Sequence, residues 1–178
     1  MNLSEKTFNL LKNFSSINQS ILFKQGNTLR TMSVMKNILA EADIEEDIPQ
    51  DFAIYDLVRF LNGISLFEEP ELDFTNDSHL TIRDGKSKRT KYFFADPSVI
   101  VAPPEKSIEL PSEDVTFTLD SNNLIQLLKA SAVYGLPDLS AVGEAGVVKL
   151  VIRDKKNDTS DDFSIIVGET DKVFSFNF

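Results

Sequence analysis

The only histidine, His79, and a dense run of carboxylates between positions 41 and 51 are the first residues to consider for chemistry. A lone imidazole works as a general base only with a nucleophile or an orienting carboxylate in reach. His79 follows Asn76-Asp77-Ser78, a run of turn formers, and reads as an exposed turn residue. Glu41, Asp43, Glu45, Glu46, Asp47 and Asp51 are hard oxygen ligands of the kind Mg²⁺ accepts. Their spacing matches no calcium or magnesium loop, and with Pro49 among them the stretch reads as a solvated loop. Asp161-Asp162 reads the same way. There is no Gly-rich phosphate loop, no Gly-x-Ser-x-Gly and no His-Glu-x-x-His. Cysteine is absent, which removes thiolate nucleophiles, thiolate metal sites and disulfides and fits a reducing compartment. The expectation is a protein that is not an enzyme and carries no metal and no cofactor. The competing class is a metal-dependent enzyme built on Asp43, Glu45 and Asp47.

Composition narrows the partners. The chain has 178 residues, 42% of them apolar, enough for one large domain or two small ones. Its 28 acids against 18 bases give a net charge of −10. Such a chain cannot wrap nucleic acid with its whole surface, because phosphate contacts need Lys and Arg; any contact must be local. No apolar run approaches the length of a membrane span, and Met1-Asn2-Leu3-Ser4-Glu5-Lys6 lacks the basic and apolar regions of a signal peptide.

The elements that would position these residues follow from periodicity and punctuation. Ser4 reads as the cap of a helix over 5–14 with Leu3, Thr7, Leu10, Leu11 and Phe14 inward. Asp56 caps a second helix over 57–67 with Leu57, Phe60, Leu61, Ile64 and Phe67 inward. Asp120 or Ser121 caps a third, to about Tyr134, with Leu124, Leu127, Leu128 and Ser131 inward and Gly135 and Pro137 as its stop. Strands are expected at 21–24, 29–35, 38–43, 52–55, 71–75, 80–83, 91–95, 115–119, 147–153, 163–168 and 173–178, with Gly26-Asn27 as a hairpin turn between the first two. Pro97, Pro103, Pro104 and Pro111 make an extended connector. The chain therefore divides into a first domain, 1–96, a connector, 97–113, and a second domain, 114–178. Phe8-Asn9-Leu10-Leu11-Lys12 aligns with Ile125-Gln126-Leu127-Leu128-Lys129 at an offset of 117 residues, and three cap–helix–strands units suggest a duplicated β-α-β-β-β module.

The helices lack what exposed faces normally collect. Beyond their caps they carry one acid, Glu5, against Lys6, Lys12, Arg59 and Lys129, with Asn9, Asn13, Asn62, Asn122, Gln126 and Ser65 filling the polar faces. A mildly positive surface rich in hydrogen-bonding groups and free of aromatics suits a phosphate backbone held loosely and without sequence preference. A second basic patch, Arg83, Lys86, Lys88, Arg89 and Lys91 around Gly85, reads as a hairpin tip.

Read in order, several segments resemble the DNA-polymerase sliding clamp of T-even-type bacteriophages. They are Leu3-Ser4 with Leu10-Leu11-Lys12-Asn13-Phe14, Ala53-Ile54-Tyr55-Asp56-Leu57, Ala95-Asp96-Pro97-Ser98 with Val101-Ala102-Pro103, Leu124 through Leu128, and Phe174-Ser175-Phe176-Asn177-Phe178. The resemblance implies an α+β DNA-clamp fold of duplicated modules, with helices on the inner face of a ring of three subunits and antiparallel sheets outside. It implies sequence-independent encirclement of double-stranded DNA. Lys6, Asn9, Lys12, Asn13, Arg59, Gln126 and Lys129 would face the DNA. The phage DNA polymerase would dock its C-terminal peptide at a groove bordered by Val99, Ile100 and Val101. A clamp loader, a sigma-like late-transcription factor and a coactivator are further implied partners; no membrane is. The setting would be the cytoplasm of the infected bacterial host. Subunits would join through Lys91, Tyr92, Phe93 and Phe94 of one domain and Phe163, Ile165 and Val167 of the other. The family's second domain runs further than Phe178, so an incomplete second domain is expected, with Val173, Phe174, Phe176 and Phe178 unburied and a weakened trimer. The alternative is an acidic phage module that mimics DNA or binds protein without encircling DNA.

Overall fold

The computed structural model describes residues 1–106 and 112–178. The chain divides into two compact units, Met1–Ser107 and Ile108–Phe178. Part of the expected connector, 107–111, lies outside the described residues.

The first unit opens with helix α1, Glu5–Ile17, where the Ser4 side chain accepts from the Thr7 N–H at 3.2 Å. Thr7, Leu11 and Phe14 recur every three or four residues and are buried, while Lys6, Asn9, Lys12 and Asn13 are exposed. Strands β1 (Ile21–Phe23), β2 (Gly26–Met32), β3 (Leu39–Ile48) and β4 (Phe52–Ile54) follow. Helix α2, Leu57–Ile64, is capped by Asp56, whose carboxylate accepts from the Arg59 N–H at 2.8 Å. Strands β5 (Glu71–Asp73), β6 (His79–Asp84) and β7 (Lys88–Phe93) close the unit as an antiparallel sheet in the order β5-β6-β7.

Two expectations fail here. β1 pairs with β4, and β2 pairs with β3, so Gly26-Asn27 is not a hairpin turn. The hairpin lies at 33–38, where Lys36 has φ 58°. The acidic stretch is not a loop: most of it is strand β3, which alternates Ala40, Ala42, Ile44 and Ile48 against exposed Glu41, Asp43, Glu45 and Asp47. A period of two outranks charge density, because outward carboxylates remain in water.

α1 and α2 pack on each other and on one core. Phe23 stacks on Phe52 with ring centroids 4.4 Å apart, and Phe60 meets Tyr92 edge-on at 5.1 Å.

In the second unit helix α3, Ser121–Tyr134, is capped by Asp120 and ends at Gly135, whose φ of 66° closes the helix in the left-handed region. Strands β8 (Asp138–Glu144), β9 (Val147–Arg153), β10 (Phe163–Glu169) and β11 (Phe174–Asn177) form one antiparallel sheet in the order β10-β9-β8-β11. The strand expected at 115–119 does not form; Phe117 and Leu119 pack on the second core without a backbone ladder. β8 had no sequence expectation. β10 pairs with β9 from Phe163 to Glu169, with a register shift between Ile166 and Gly168. Val173 and Phe178 are exposed and Phe176 is partly so, while Phe174 packs on the core.

α3 corrects the expected inward face. Leu127 and Ala130 are buried, whereas Leu124 and Leu128 are exposed, Leu128 by 62%.

Candidate functional site

The chemistry-bearing residues do not converge. His79 starts β6, half-buried, with its ring 5.2 Å from Phe93 and its Nδ1 3.2 Å from the Ser78 Oγ. The acids of β3 are engaged separately. Asp43 accepts from the Thr28 hydroxyl at 2.8 Å, and Glu45 stands 3.9 Å from Lys6. Asp51 accepts from Lys24 and from the Gln25 N–H, both at 2.8 Å, which holds its carboxyl below the usual range. Among the described residues no three His, Asp or Glu side chains are grouped so as to hold a metal ion.

Glu46 has a structural task that sequence reading missed. It reaches from β3 to the start of α1, accepting from the Ser4 N–H and, at 2.6 Å, from the Thr7 hydroxyl. Burial pushes its carboxyl up, but these hydrogen bonds outweigh burial and leave it below the ordinary value. A negative charge also suits a helix N-terminus.

The exposed helix faces are the surface best fitted to a polyanion. On α1, Asn9, Lys12 and Asn13 face solvent, and the Lys12 ammonium lies 4.7 Å from the Phe8 ring centroid. Lys6 is exposed too, but Glu45 partly offsets its charge. On the adjacent α2, Arg59 and Asn62 are exposed, and Arg59 has no ion-pair partner among the described residues. On α3, Gln126 and Lys129 are exposed, but beside Leu124, Ile125, Leu128, Val133 and Tyr134. That face is more apolar than expected.

The connector residues split. Val99 is exposed, in a short 3₁₀ turn over Pro97–Val99. Ile100 is buried, and the Val101 carbonyl accepts from the Asn18 amide at 3.1 Å, which also donates to the Met32 carbonyl at 2.8 Å. Arg30 donates to the Pro104 carbonyl at 2.8 Å and pairs with Glu41 at 2.7 Å. A cavity of about 340 Å³ opens beside these contacts, lined by Leu22, Lys24, Arg30, Ala102, Pro103 and Glu105. Val99, Ile100 and Val101 are not among its lining residues.

The residues expected at subunit contacts lie on two of the edge strands, β7 and β10, with Phe94 just past the end of β7. Lys91 and Phe93 point outward, whereas Tyr92 turns in and donates its hydroxyl to the Asp56 carbonyl at 3.0 Å. Burial and the Asp56 carboxylate hold the Tyr92 hydroxyl's pKa above its usual value. Phe94 packs on the first core, and the edge is closed just beyond it, where the Ala95 N–H donates to the Ala53 carbonyl at 2.9 Å. Phe163, Ile165 and Val167 pack on the second core, so only their backbone faces the edge; Ile166 is the outward side chain, 61% exposed.

Known proteins fit this arrangement. Residues 3–102 match the family model described as DNA polymerase processivity factor. The chain is 34% identical to the sliding clamp of Vibrio phage KVP40 over a 183-residue alignment that covers all of this chain and 82% of that protein. It is also 34% identical to the sliding clamp of Enterobacteria phage T4, covering all of this chain and 79% of that protein. Among solved structures, the proliferating cellular nuclear antigen of Entamoeba histolytica superposes with a TM-score of 0.63 at 15% identity, over 97% of this chain and 76% of that one. That of Thermococcus kodakaraensis gives 0.57 at 14% identity, over 97% and 76%. At these identities the solved structures speak for the fold alone: antiparallel sheets and helices of the DNA-clamp type.

Proposed function

Because the chain belongs to the sliding clamps of T4-type phages, the DNA polymerase processivity factors, we propose that three copies close around duplex DNA and tether the phage polymerase to its template. The protein is not an enzyme; its contribution is topological. A closed ring cannot leave DNA sideways, so weak contacts suffice, and tight ones would slow sliding. The observation that carries this reading is the acid-poor exposed face of α1 and α2 in a chain of net charge −10. Lys12 and Arg59 among amide side chains attract phosphates without reading bases. Lys6, Asn9, Asn13, Gln126 and Lys129 complete the DNA-facing set. The polymerase tail docks at the connector, where Val99 is exposed and Ala102 and Pro103 line a cavity. A clamp loader opens and closes the ring, and a sigma-like factor with its coactivator uses the same clamp in late transcription. The setting is the cytoplasm of the infected bacterium.

Primer extension tests the DNA-facing assignment. Lys12→Glu, Arg59→Glu and Lys129→Glu together are expected to reduce clamp-stimulated processive synthesis by about tenfold or more, because each reversal turns a phosphate attraction into a repulsion. Undiminished stimulation by a folded triple variant would remove these residues from the DNA face. It would favour a module that binds only protein.

A further inference from the structure

The β5-β6-β7 sheet has a second face, turned away from the helices. Leu80 and Ile82 of β6 are buried, and Tyr92 of β7 turns in toward Phe60 of α2. Alternation therefore places His79, Thr81 and Arg83 of β6, and Arg89, Lys91 and Phe93 of β7, on the opposite face. The register sets Phe93 opposite His79, Lys91 opposite Thr81 and Arg89 opposite Arg83. The last is a like-charge pair, which by itself weakens a sheet. β5 answers only half of it: Arg83 donates to Glu71 at 3.0 and 3.1 Å and stands 3.8 Å from Asp73. Arg89 and Lys91 have no ion-pair partner among the described residues, and neither does Lys86 in the turn beyond. In a chain of net charge −10, unanswered positive charge is thus concentrated beside Phe93, which is 66% exposed and 5.2 Å from the His79 ring.

We propose that this face binds a single strand of nucleic acid laid along β7, with phosphates at Arg89 and Lys91 and one base on the Phe93 ring. An unanswered pair of cations calls for an anion, and an exposed aromatic ring calls for a flat apolar partner; a nucleotide carries both. Alternate residues of a strand stand about 7 Å apart, close to the spacing of successive phosphates in an extended single strand. Phe93, Lys91 and Arg89 therefore present one ring and two charges at the step of the ligand. Charge combined with stacking is how sites indifferent to sequence hold single strands. A duplex offers the same phosphates but keeps its bases stacked inside, so Phe93 selects the unpaired strand. The helices pack on the other side of this sheet, so the site does not depend on the duplex-holding face proposed above. Side chains stand perpendicular to a sheet, so a subunit contact made through the backbone edge of β7 leaves this face uncovered.

Fluorescence anisotropy of a labelled oligothymidylate, titrated with the full chain, tests this. Affinity is expected to fall with salt at a log–log slope of about −1.4 to −2, the range for two or three phosphates of a single strand. Arg89→Glu with Lys91→Glu is expected to weaken binding about tenfold or more. Phe93→Leu keeps the apolar bulk but removes the ring, and is expected to weaken it about fivefold to tenfold. Arg89→Glu also removes the like-charge pair with Arg83, so this variant is expected to melt no lower than the wild type; lost binding then cannot be lost folding. Lys12→Glu with Arg59→Glu, on the helix side, is expected to leave the binding in place. Absence of binding, binding that the Arg89 and Lys91 reversals leave unchanged, or binding that the helix-side reversals abolish would each overturn the proposal. A polyglutamate peptide that binds as tightly and is insensitive to Phe93→Leu would assign the face to an acidic protein segment instead. A duplex held through Arg89 and Lys91 as tightly as the single strand would reduce it to a plain phosphate contact.

Discussion

Glu46 ties the acidic strand to the first helix, and its charge state is linked to folding. Hydrogen bonds from Ser4 and Thr7 lower its pKa from the ordinary 4.5. A carboxyl lowered in the folded state binds its proton more readily when unfolded. Its contribution is therefore complete above the unfolded value and is lost as pH falls through the folded one. Glu46→Gln is expected to cost about 1.5–3 kcal/mol at neutral pH, as hydrogen bonds to a charged group do, and the gap should close in acid. Thermal melts of both proteins at pH 7 and pH 3 check this; an equal gap at both would mean that the charge is irrelevant. Nothing in the sequence pointed to Glu46 over its neighbours. Five carboxylates crowd around it, and only the pairing of β2 with β3 and the placement of α1 decide which reaches the helix. The exposed side chains proposed to face DNA were easier to place on their helices, since Lys12, Arg59 and Asn9 sit opposite a clear apolar stripe.

At the scale of elements, caps were legible and phases were not always so. Ser4, Asp56 and Asp120 each accept from a backbone N–H three residues on. Measured from these caps, Leu11 and Leu127 occupy the same place, seven residues in, and both are buried. The matching five-residue strings align Leu11 with Leu128, one residue out of phase; Leu128 was expected inside because 124, 127, 128 and 131 follow the i, i+3, i+4, i+7 spacing of an inward face. Leu127→Ala is expected to destabilise the second unit by about 2–4 kcal/mol, and Leu128→Ala by far less; chemical denaturation of the two variants separates them. The misread of β3 has a related cause: charge density suggested a loop while alternation was present. β8 was hidden by small residues, Ser140, Ala141 and Gly143. Gly143 is there for space, since a Cβ would lie 2.3 Å from the Phe174 ring. Gly143→Ala is therefore expected to loosen the pairing of β8 with β11, visible as faster amide exchange along 174–177.

On the scale of the whole molecule, the proposed function follows from closure rather than from a catalytic group. The family's fold was legible because its module boundaries carry prolines, caps and apolar stripes that local physics demands. The open edges were only half legible, since an open edge is a property of the folded sheet. Phe163, Ile165 and Val167, expected at the contact, pack on the second core, and Ile166 is an exposed apolar side chain of that strand. The central claim is that the assembled protein holds DNA topologically. It is tested most directly by loading the protein, with its clamp loader, onto nicked circular DNA and then cutting the circle at one site. The account predicts retention through gel filtration on the circle at a salt concentration that abolishes phosphate contacts, and release once the DNA has ends. Equal retention on circular and linear DNA, or none on either, would contradict it.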